Sequence, residues 1–257
     1  MPTNRGLQYV REQGLEFLRI NFVCLEIKVE EQRGEDIPRL VNSLYEDEAP
    51  VVGITGEDFL DNFLFGEYRS SVNRRLMFKR LDLRKNGPYE NTLFGLPALC
   101  ILGEGGITLD KFVEAYPTVR DNEVRQLRGS ELQEPDFRGK RVAIPRRYEA
   151  LISSRVRLEG AEILLLDGEV DVTAARGGAD YAIDIVLTGR TCREEGLGFF
   201  PPILYLSDGV ILANQRVKTE SVRKKLDTKR FSDWEIWFNT GRASRKYTGG
   251  GGNNFSH

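Results

Sequence analysis

The chain has 257 residues, of which 40% are hydrophobic, and a formal net charge of −2. This composition supports a buried core, and 37 Lys+Arg against 39 Asp+Glu exclude a basic field over the whole chain that would attract nucleic acid. No apolar run approaches the roughly 20 residues that cross a bilayer, and the first residues lack the basic start and apolar stretch of a secretion signal. We therefore expect a cytoplasmic protein without a membrane or nucleic-acid partner.

The cysteines and the histidine exclude several kinds of site. Cys24, Cys100 and Cys192 are odd in number and widely spaced, which fits neither a disulfide framework nor a thiolate zinc site. The only histidine is the last residue, His257, so imidazole catalysis and histidine-ligated zinc are excluded. The chemistry must use carboxylates, Lys or Arg, hydroxyls, backbone amides or a metal held by oxygen.

The first half of the chain alternates helix and strand patterns. The predicted elements are a helix over 6–19, a strand over 22–29, a helix over 37–44 with Asp36 as its N-cap, and a strand over 51–54. Between residues 61 and 140, charged stretches surround one apolar patch, 93–102, which predicts a strand. Little else is predicted there.

The second half shows the same alternation. Strands are predicted over 141–144, 161–166 and 181–187, with a helix over 147–158. Apolar runs on both sides of Ser207-Asp208-Gly209 predict a hairpin. The chain from 217 onward is basic and polar, with a glycine-rich end that predicts flexibility. Short apolar strands between helices indicate an α/β fold with largely parallel sheets.

The strand over 181–187 runs into the loop Thr188-Gly189-Arg190-Thr191. Thr191 followed three residues later by Glu194 predicts a capping box at the start of a helix. Backbone N–H groups, two hydroxyls and a guanidinium around one point form a cradle for a phosphate, and Asp184 is placed to accept hydrogen bonds from sugar hydroxyls. The alternative is an ordinary helix cap next to a polar residue near the end of the strand.

Three further segments carry candidate residues. The segment 33–38 precedes a helix, and 53–58 ends a strand with small residues where a ligand can approach the backbone. A plain N-cap and an ordinary turn are the alternatives for these two. The basic run over 216–230 is interpreted as a solvated helix face rather than a nucleic-acid contact.

Taken together, these motifs resemble the ATP phosphoribosyltransferase family of histidine biosynthesis. The resemblance covers roughly residues 25–60 and 139–214. It is carried by Arg33-Gly34-Glu35-Asp36-Ile37-Pro38, by Val52-Gly53-Ile54-Thr55-Gly56-Glu57-Asp58, by Gly168 followed by Gly177-Gly178-Ala179-Asp180, and by Asp184-Ile185-Val186-Leu187-Thr188-Gly189-Arg190-Thr191.

The resemblance implies an α/β fold of two lobes, similar to type II periplasmic binding proteins, with the ligand cleft between the lobes. Lobe I is expected over 1–94 plus 196–225, lobe II over 95–195, and a polar, flexible tail over 226–257. The implied reaction joins N1 of ATP to C1 of phosphoribosyl pyrophosphate (PRPP) and releases pyrophosphate. The resemblance also implies a requirement for Mg²⁺, held mainly by the substrate phosphates.

The resemblance assigns binding residues but no catalytic side chain. The residues implied to bind PRPP are Asp184, Thr188, Gly189, Arg190 and Thr191. Those implied to line the nucleotide site or the cleft are Arg5, Arg33, Asp36, Gly53, Thr55, Gly56, Asp58, Asp171 and Asp180. Because few residues follow position 225, the chain is similar to the short form of the family, which implies a homo-oligomer and a separate histidyl-tRNA-synthetase-like regulatory subunit.

The chain also departs from the family pattern. Pro2-Thr3-Asn4-Arg5 stands near the start with Thr3 where the family has lysine, and 103–138 has the character of an insertion. Other replacements are Asp171 for glutamate, Ala174 for proline and Cys192 for leucine or methionine. Two alternatives therefore stay open: a diverged phosphoribosyltransferase with another acceptor, and a non-catalytic sensor or scaffold subunit that binds a phosphometabolite.

Overall fold

A computed structural model describes residues 32–43, 51–67, 75–81, 94–115, 135–214, 235–238 and 247–248. The chain divides into two compact units, the first from 1–82 with 209–257 and the second from 83–208. Each unit combines helices with a sheet, which confirms the predicted α/β class. Arg5 and the elements predicted over 6–19 and 22–29 lie outside the described residues.

The described strands are β1 (Val52–Gly56), β2 (Arg75–Arg80), β3 (Ala98–Gly103), β4 (Arg141–Pro145), β5 (Glu162–Leu166), β6 (Tyr181–Val186), β7 (Gly198–Leu206), β8 (Gly209–Asn214), β9 (Glu235–Phe238) and β10 (Tyr247–Thr248). The described α-helices are α1 (Ile37–Ser43), α2 (Glu57–Glu67), α3 (Leu109–Ala115), α4 (Glu149–Arg155), α5 (Val170–Ala175) and α6 (Arg190–Glu194). A 3₁₀ turn, Arg146–Tyr148, leads into α4.

The first unit contains a sheet in the order β1-β8-β2-β9-β10, with antiparallel pairing in every ladder. β8 is buried along its whole length between β1 and β2. Side chains of α1 and α2, among them Val41 and Leu60, pack with Leu212 of β8 in one apolar cluster. The prediction of largely parallel sheets is therefore wrong for this unit.

β9 and β10 lie in the segment that was predicted to be a flexible tail. β9 pairs antiparallel with β2, with Trp237 opposite Leu76 and Ile236 opposite Met77. The tail prediction is therefore wrong for 235–238. The polar composition of this region hid a short Ile-Trp-Phe strand that completes the hydrogen bonding of β2.

The second unit contains a sheet in the order β5-β4-β6-β3-β7. β4 pairs parallel with β5 and with β6, whereas β3 pairs antiparallel with β6 and with β7. Four strands thus run in one direction and β3 runs against them. The connections from β4 through α4 to β5 and from β5 through α5 to β6 supply the crossovers that parallel strands need.

The predicted hairpin around Ser207-Asp208-Gly209 is wrong. β7 pairs with β3 in the second unit, and β8 pairs with β1 and β2 in the first. Residues 196–208 therefore group with the second unit rather than with lobe I. The local turn signal was overridden because both strands bury their apolar residues against partners that are distant in sequence.

Gly53 shows how α1 is held on the first sheet. A Cβ atom at this position would lie 2.5 Å from Cγ2 of Ile37 and 2.8 Å from Cγ2 of Val41. Helix α1 thus rests directly on the backbone of β1. Close packing explains the glycine here, where the sequence suggested a ligand's approach.

We predict that Gly53→Ala lowers the free energy of unfolding by about 1–3 kcal/mol, because the new methyl group overpacks the contact between α1 and β1. Gly168→Ala is the matched control, since a Cβ at that position meets no atom within 4 Å. Urea unfolding of both variants provides the measurement. Equal effects of the two substitutions would contradict the packing explanation.

Candidate functional site

The parallel strands of the second unit end at one edge of the sheet. β4 ends at Pro145, β5 at Leu166 and β6 at Val186, and each is followed by a short loop and a helix. In parallel α/β sheets this carboxyl edge is where ligands bind, because the loops converge there. The candidate site is built from these three loops and the ends of their strands.

Asp184 is the half-buried carboxylate of this edge. It lies on β6 directly opposite Cys100 of β3, and its Oδ1 accepts a hydrogen bond from the backbone N–H of Ile185 at 2.7 Å. Burial raises the pKa of Asp184 to about 6, the Ile185 bond lowers it, the charge of Asp171 raises it and that of Arg147 lowers it. A carboxyl group poised near neutral pH at a strand end is characteristic of a functional site.

Asp171 lies at the start of α5, the helix that follows β5. Its Oδ1 accepts a hydrogen bond from the N–H of Val172 at 2.9 Å. Glu169, two residues earlier, has φ 52° and ψ 34°, a left-handed conformation unusual for a residue with a Cβ. The structure thus brings Asp171 within electrostatic reach of Asp184.

The loop Thr188–Thr191 has its predicted place, but its cap differs from the prediction. Helix α6 begins at Arg190, with Gly189 as N-cap at φ 66° and no side-chain cap hydrogen bond at that residue. Thr188 Oγ1 instead accepts a hydrogen bond from the N–H of Arg190 at 3.3 Å, and Glu194 forms an ion pair with Arg190 at 3.6 Å. The predicted Thr191 capping box is wrong, because the helix begins one residue before Thr191 and Gly189 is its N-cap.

The side chains of this loop are open to a ligand. Thr188 and Arg190 are exposed, Thr191 is half-buried and Gly189 is buried. The Arg190 side chain is 80% exposed, so its guanidinium is accessible to an anion in solution.

Two buried thiols lie next to the candidate site, one opposite Asp184 on β3 and one on α6. Cys100 and Cys192 are both buried and neither is in a disulfide. Burial and the nearby charges of Asp171 and Asp184 raise the pKa of Cys192 to about 12, and burial together with Cys192 and Asp184 raises that of Cys100 further. Thiols held in the protonated form are poor nucleophiles, so these cysteines pack rather than react.

Asp180 lies at the other end of β6. Its carboxylate accepts a hydrogen bond from the N–H of Arg141 at 2.8 Å, and this bond together with the Lys140 and Arg141 charges lowers its pKa. Asp184 lies four residues further along the chain, roughly 13 Å away at about 3.3 Å per residue. The structure therefore does not bring Asp180 together with Asp184, and gives it the role of joining the starts of β4 and β6.

The two motifs of the first unit meet each other. Thr55 at the end of β1 donates a hydrogen bond from Oγ1 to the carbonyl of Gly34 at 2.6 Å. Asp36 precedes α1, and its carbonyl accepts the first helical bond from Leu40. The Arg33 side chain is 83% exposed and lies 3.9 Å from Glu35. The hydrogen bond from Thr55 to Gly34 fixes the 33–36 loop against the end of β1.

Buried acidic residues follow directly on β1. Glu57 and Asp58 are both 5% exposed and stand in the first turn of α2, where the helix dipole favours negative charge. Arg80 of β2 donates to Glu57 from Nε at 2.6 Å and also from Nη2. Gly56 pairs with Gly209 of β8. Sequence reasoning missed Arg80, because β2 lies in a charged stretch to which it assigned no element.

Within the described part of the chain, no group of three or more Cys, His, Asp or Glu side chains is placed to hold a metal ion. None of the described helices is long and apolar enough to cross a membrane.

Sequence comparison confirms the resemblance over part of the chain. The chain is 40% identical over 82 residues to the ATP phosphoribosyltransferase of Corynebacterium glutamicum (strain R), and this match covers 31% of the chain and 28% of that protein. It is 37% identical over 86 residues to the ATP phosphoribosyltransferase of Nocardia farcinica, covering 33% of this chain and 30% of that one. The matched segment thus spans less than a third of either relative. No protein-family model matches the chain.

Solved structures show a more distant likeness. The ATP phosphoribosyl transferase complex from Thermotoga maritima aligns with a TM-score of 0.43 and 16% identity, over 84% of this chain and 88% of that chain. The periplasmic aliphatic sulphonate binding protein from Escherichia coli aligns with a TM-score of 0.43 and 13% identity, over 86% and 65%. At such identities and TM-scores, neither likeness indicates a shared activity.

We predict that Asp184→Asn stabilises the fold at neutral pH by about 1–2 kcal/mol. The pKa of Asp184 is about 6 in the folded chain, against roughly 3.9 when unfolded. Ionisation of Asp184 therefore opposes folding as the pH rises from about 4 to about 6. The stability gained by Asp184→Asn should vanish below about pH 4. Denaturant unfolding across this pH range measures the effect.

Asp180→Asn is the matched control for this prediction, because the pKa of Asp180 is lowered in the folded chain. Its ionised form stabilises the fold above its unfolded pKa, so this variant should lose stability at neutral pH. A large loss of stability in Asp184→Asn would assign that residue a purely structural role.

Proposed function

We propose that the chain binds PRPP at the carboxyl edge of β4, β5 and β6 and transfers its phosphoribosyl group to ATP. One observation carries the proposal: a half-buried carboxylate, Asp184, and the hydroxyl- and arginine-bearing loop Thr188–Thr191 lie on the same strand end of one sheet. The partial sequence similarity to ATP phosphoribosyltransferases supports it.

The loop residues suit the 5-phosphate of PRPP. Arg190 offers a guanidinium for charge-assisted hydrogen bonds, and the Thr188 and Thr191 hydroxyls offer further donors. Helix α6 has five residues, so its dipole is small and these side chains supply most of the attraction. Asp184, next to the loop, would accept hydrogen bonds from the ribose hydroxyls.

The proposed reaction is a substitution at C1 of the ribose. N1 of ATP forms a bond to C1, while the bond from C1 to the pyrophosphate oxygen breaks and its electron pair leaves with pyrophosphate. Residues that hold the two substrates contribute by positioning, which needs no catalytic histidine. Mg²⁺ would be held mainly by the substrate phosphates, where it would offset the charge of the leaving pyrophosphate.

Two alternatives to this function share the same PRPP site. A diverged transferase would use another acceptor, and a sensor or scaffold subunit would bind PRPP without consuming it. The proposal further includes a cytoplasmic homo-oligomer that works with a histidyl-tRNA-synthetase-like regulatory subunit.

We predict release of pyrophosphate from PRPP by the purified chain in the presence of Mg²⁺ and ATP, and no release when ATP is omitted. An enzyme-coupled pyrophosphate assay provides the measurement, and absorbance of the phosphoribosyl-ATP product confirms the acceptor. Release with another purine nucleotide but not with ATP would favour the diverged transferase. A rise in melting temperature with PRPP, without release, would favour a sensor or a chain that needs its regulatory subunit.

We predict that Arg190→Ala and Thr191→Val each weaken PRPP binding at least about tenfold, because each removes charge-assisted hydrogen bonds to a phosphate. Calorimetry measures the dissociation constants. Arg193→Ala is the matched control, since Arg193 lies on the same helix but faces Asp110 at 3.5 Å. Unchanged affinity in the first two variants would remove the loop from the PRPP site.

A further inference from the structure

The turn after β4 carries two adjacent arginines that the sequence motifs did not single out. Pro145 ends the strand, and Arg146, Arg147 and Tyr148 form the 3₁₀ turn. Both arginines are exposed, whereas Tyr148 is 3% exposed. The turn therefore places two exposed cations beside a buried aromatic ring, at the edge where the candidate site lies.

Strand register places this turn beside Asp184. In the parallel pairing of β4 with β6, Val142 lies opposite Tyr181 and Ala143 opposite Ala182. Continuing the same register by two residues brings Pro145 level with Asp184. Because parallel neighbours leave the sheet at the same edge, the residues just after Pro145 lie over the end of β6 that carries Asp184.

The two arginines interact with different neighbours of β4: Arg146 with β5 and Arg147 with β6. Arg146 donates from Nε to Asp167 at 3.2 Å and from Nη2 to the carbonyl of Leu165 at 3.3 Å, which holds it toward β5. Cζ of Arg147 lies 5.3 Å from the ring centroid of Tyr148, a cation–π contact. Since the Tyr148 ring is buried, it fixes the guanidinium of Arg147, whose charge reaches Asp184 on β6.

We propose that Arg147, held on the ring of Tyr148, is a positioning residue that keeps Asp184 in the ionised form that accepts hydrogen bonds from sugar hydroxyls. The sugar-binding part rests on the proposed function. The coupling between Arg147 and Asp184 does not, because it rests on the strand register that brings the turn level with Asp184, on the cation–π contact that holds the guanidinium, and on the charge of Arg147.

Four groups face Asp184 from the elements packed around it. They are Cys100 on β3, Asp171 on α5, Cys192 on α6 and Arg147 after β4. Both thiols are held neutral and Asp171 is acidic, so among these four Arg147 alone favours the charged carboxylate. When Arg147 is removed, only the hydrogen bond from the Ile185 N–H still opposes the protonation of Asp184 that burial and Asp171 favour.

We predict that Arg147→Gln raises the pKa of Asp184 and shifts its ionisation constant by about threefold or more. Carboxyl ¹³C NMR on aspartate-labelled protein provides the measurement, with Asp184→Asn to assign the resonance. The unchanged chain should titrate at about 6. Arg147→Lys should keep most of the effect, and Arg146→Gln, which alters the arginine facing β5, should leave the titration unchanged.

Binding of PRPP gives a second readout. The affinity of Arg147→Gln should fall by about threefold more near pH 6 than near pH 8, because Asp184 ionises in both proteins at the higher pH. An equal loss at both pH values would overturn the positioning role and make Arg147 a direct phosphate contact. An unchanged Asp184 titration in Arg147→Gln would overturn the coupling, whether or not PRPP binds.

A shifted titration in a chain that does not bind PRPP would overturn the sugar-binding part together with the proposed function. Because the NMR titration needs no ligand, this outcome is distinguishable from a failure of the coupling itself. Melting temperatures of the variants separate either result from misfolding.

Discussion

The parallel pairing of β4 with both β5 and β6 is the constraint on which the candidate site depends. Parallel neighbours must end at one edge, so the loops after Pro145, Leu166 and Val186 meet there. The crossovers through α4 and α5 keep this arrangement. Three segments that are far apart in sequence therefore lie at the same edge: the turn with Arg147, the start of α5 with Asp171, and the hydroxyl-bearing loop Thr188–Thr191.

The electrostatics of the edge follow from the same arrangement. Asp184 lies half-buried in a sheet whose neighbouring residue, Cys100, is fully buried, so its charge is costly. Asp171 adds to that cost and Arg147 offsets it. The carboxyl group therefore titrates close to neutral pH, in contrast to Asp180 at the other end of the strand, which is exposed and bonded to Arg141. The pKa is thus raised for the aspartate within β6 and lowered for the aspartate just before it.

Features that are local in sequence could be predicted, and features that depend on distant partners could not. The strand pattern over 181–187, the loop after it and the helix after Asp36 are set by neighbouring residues, and the structure contains all three. The turn signal at Asp208-Gly209 was overridden by the pairing of β8 with β1 and β2. The proximity of Cys100 to Asp184 depends on strand register, which no local pattern shows.

The position of β8 between β1 and β2 has a consequence for synthesis on the ribosome. The strands of the second sheet, β3 to β7, occupy an uninterrupted stretch of chain, whereas the first sheet lacks its inner strand until residues 209–214 are made. Translation therefore delivers the second sheet complete while β1 and β2 still lack the neighbour that joins them. During this interval Leu76 and Phe78 have not yet gained their packing with Leu212, so the nascent chain is most exposed to aggregation then.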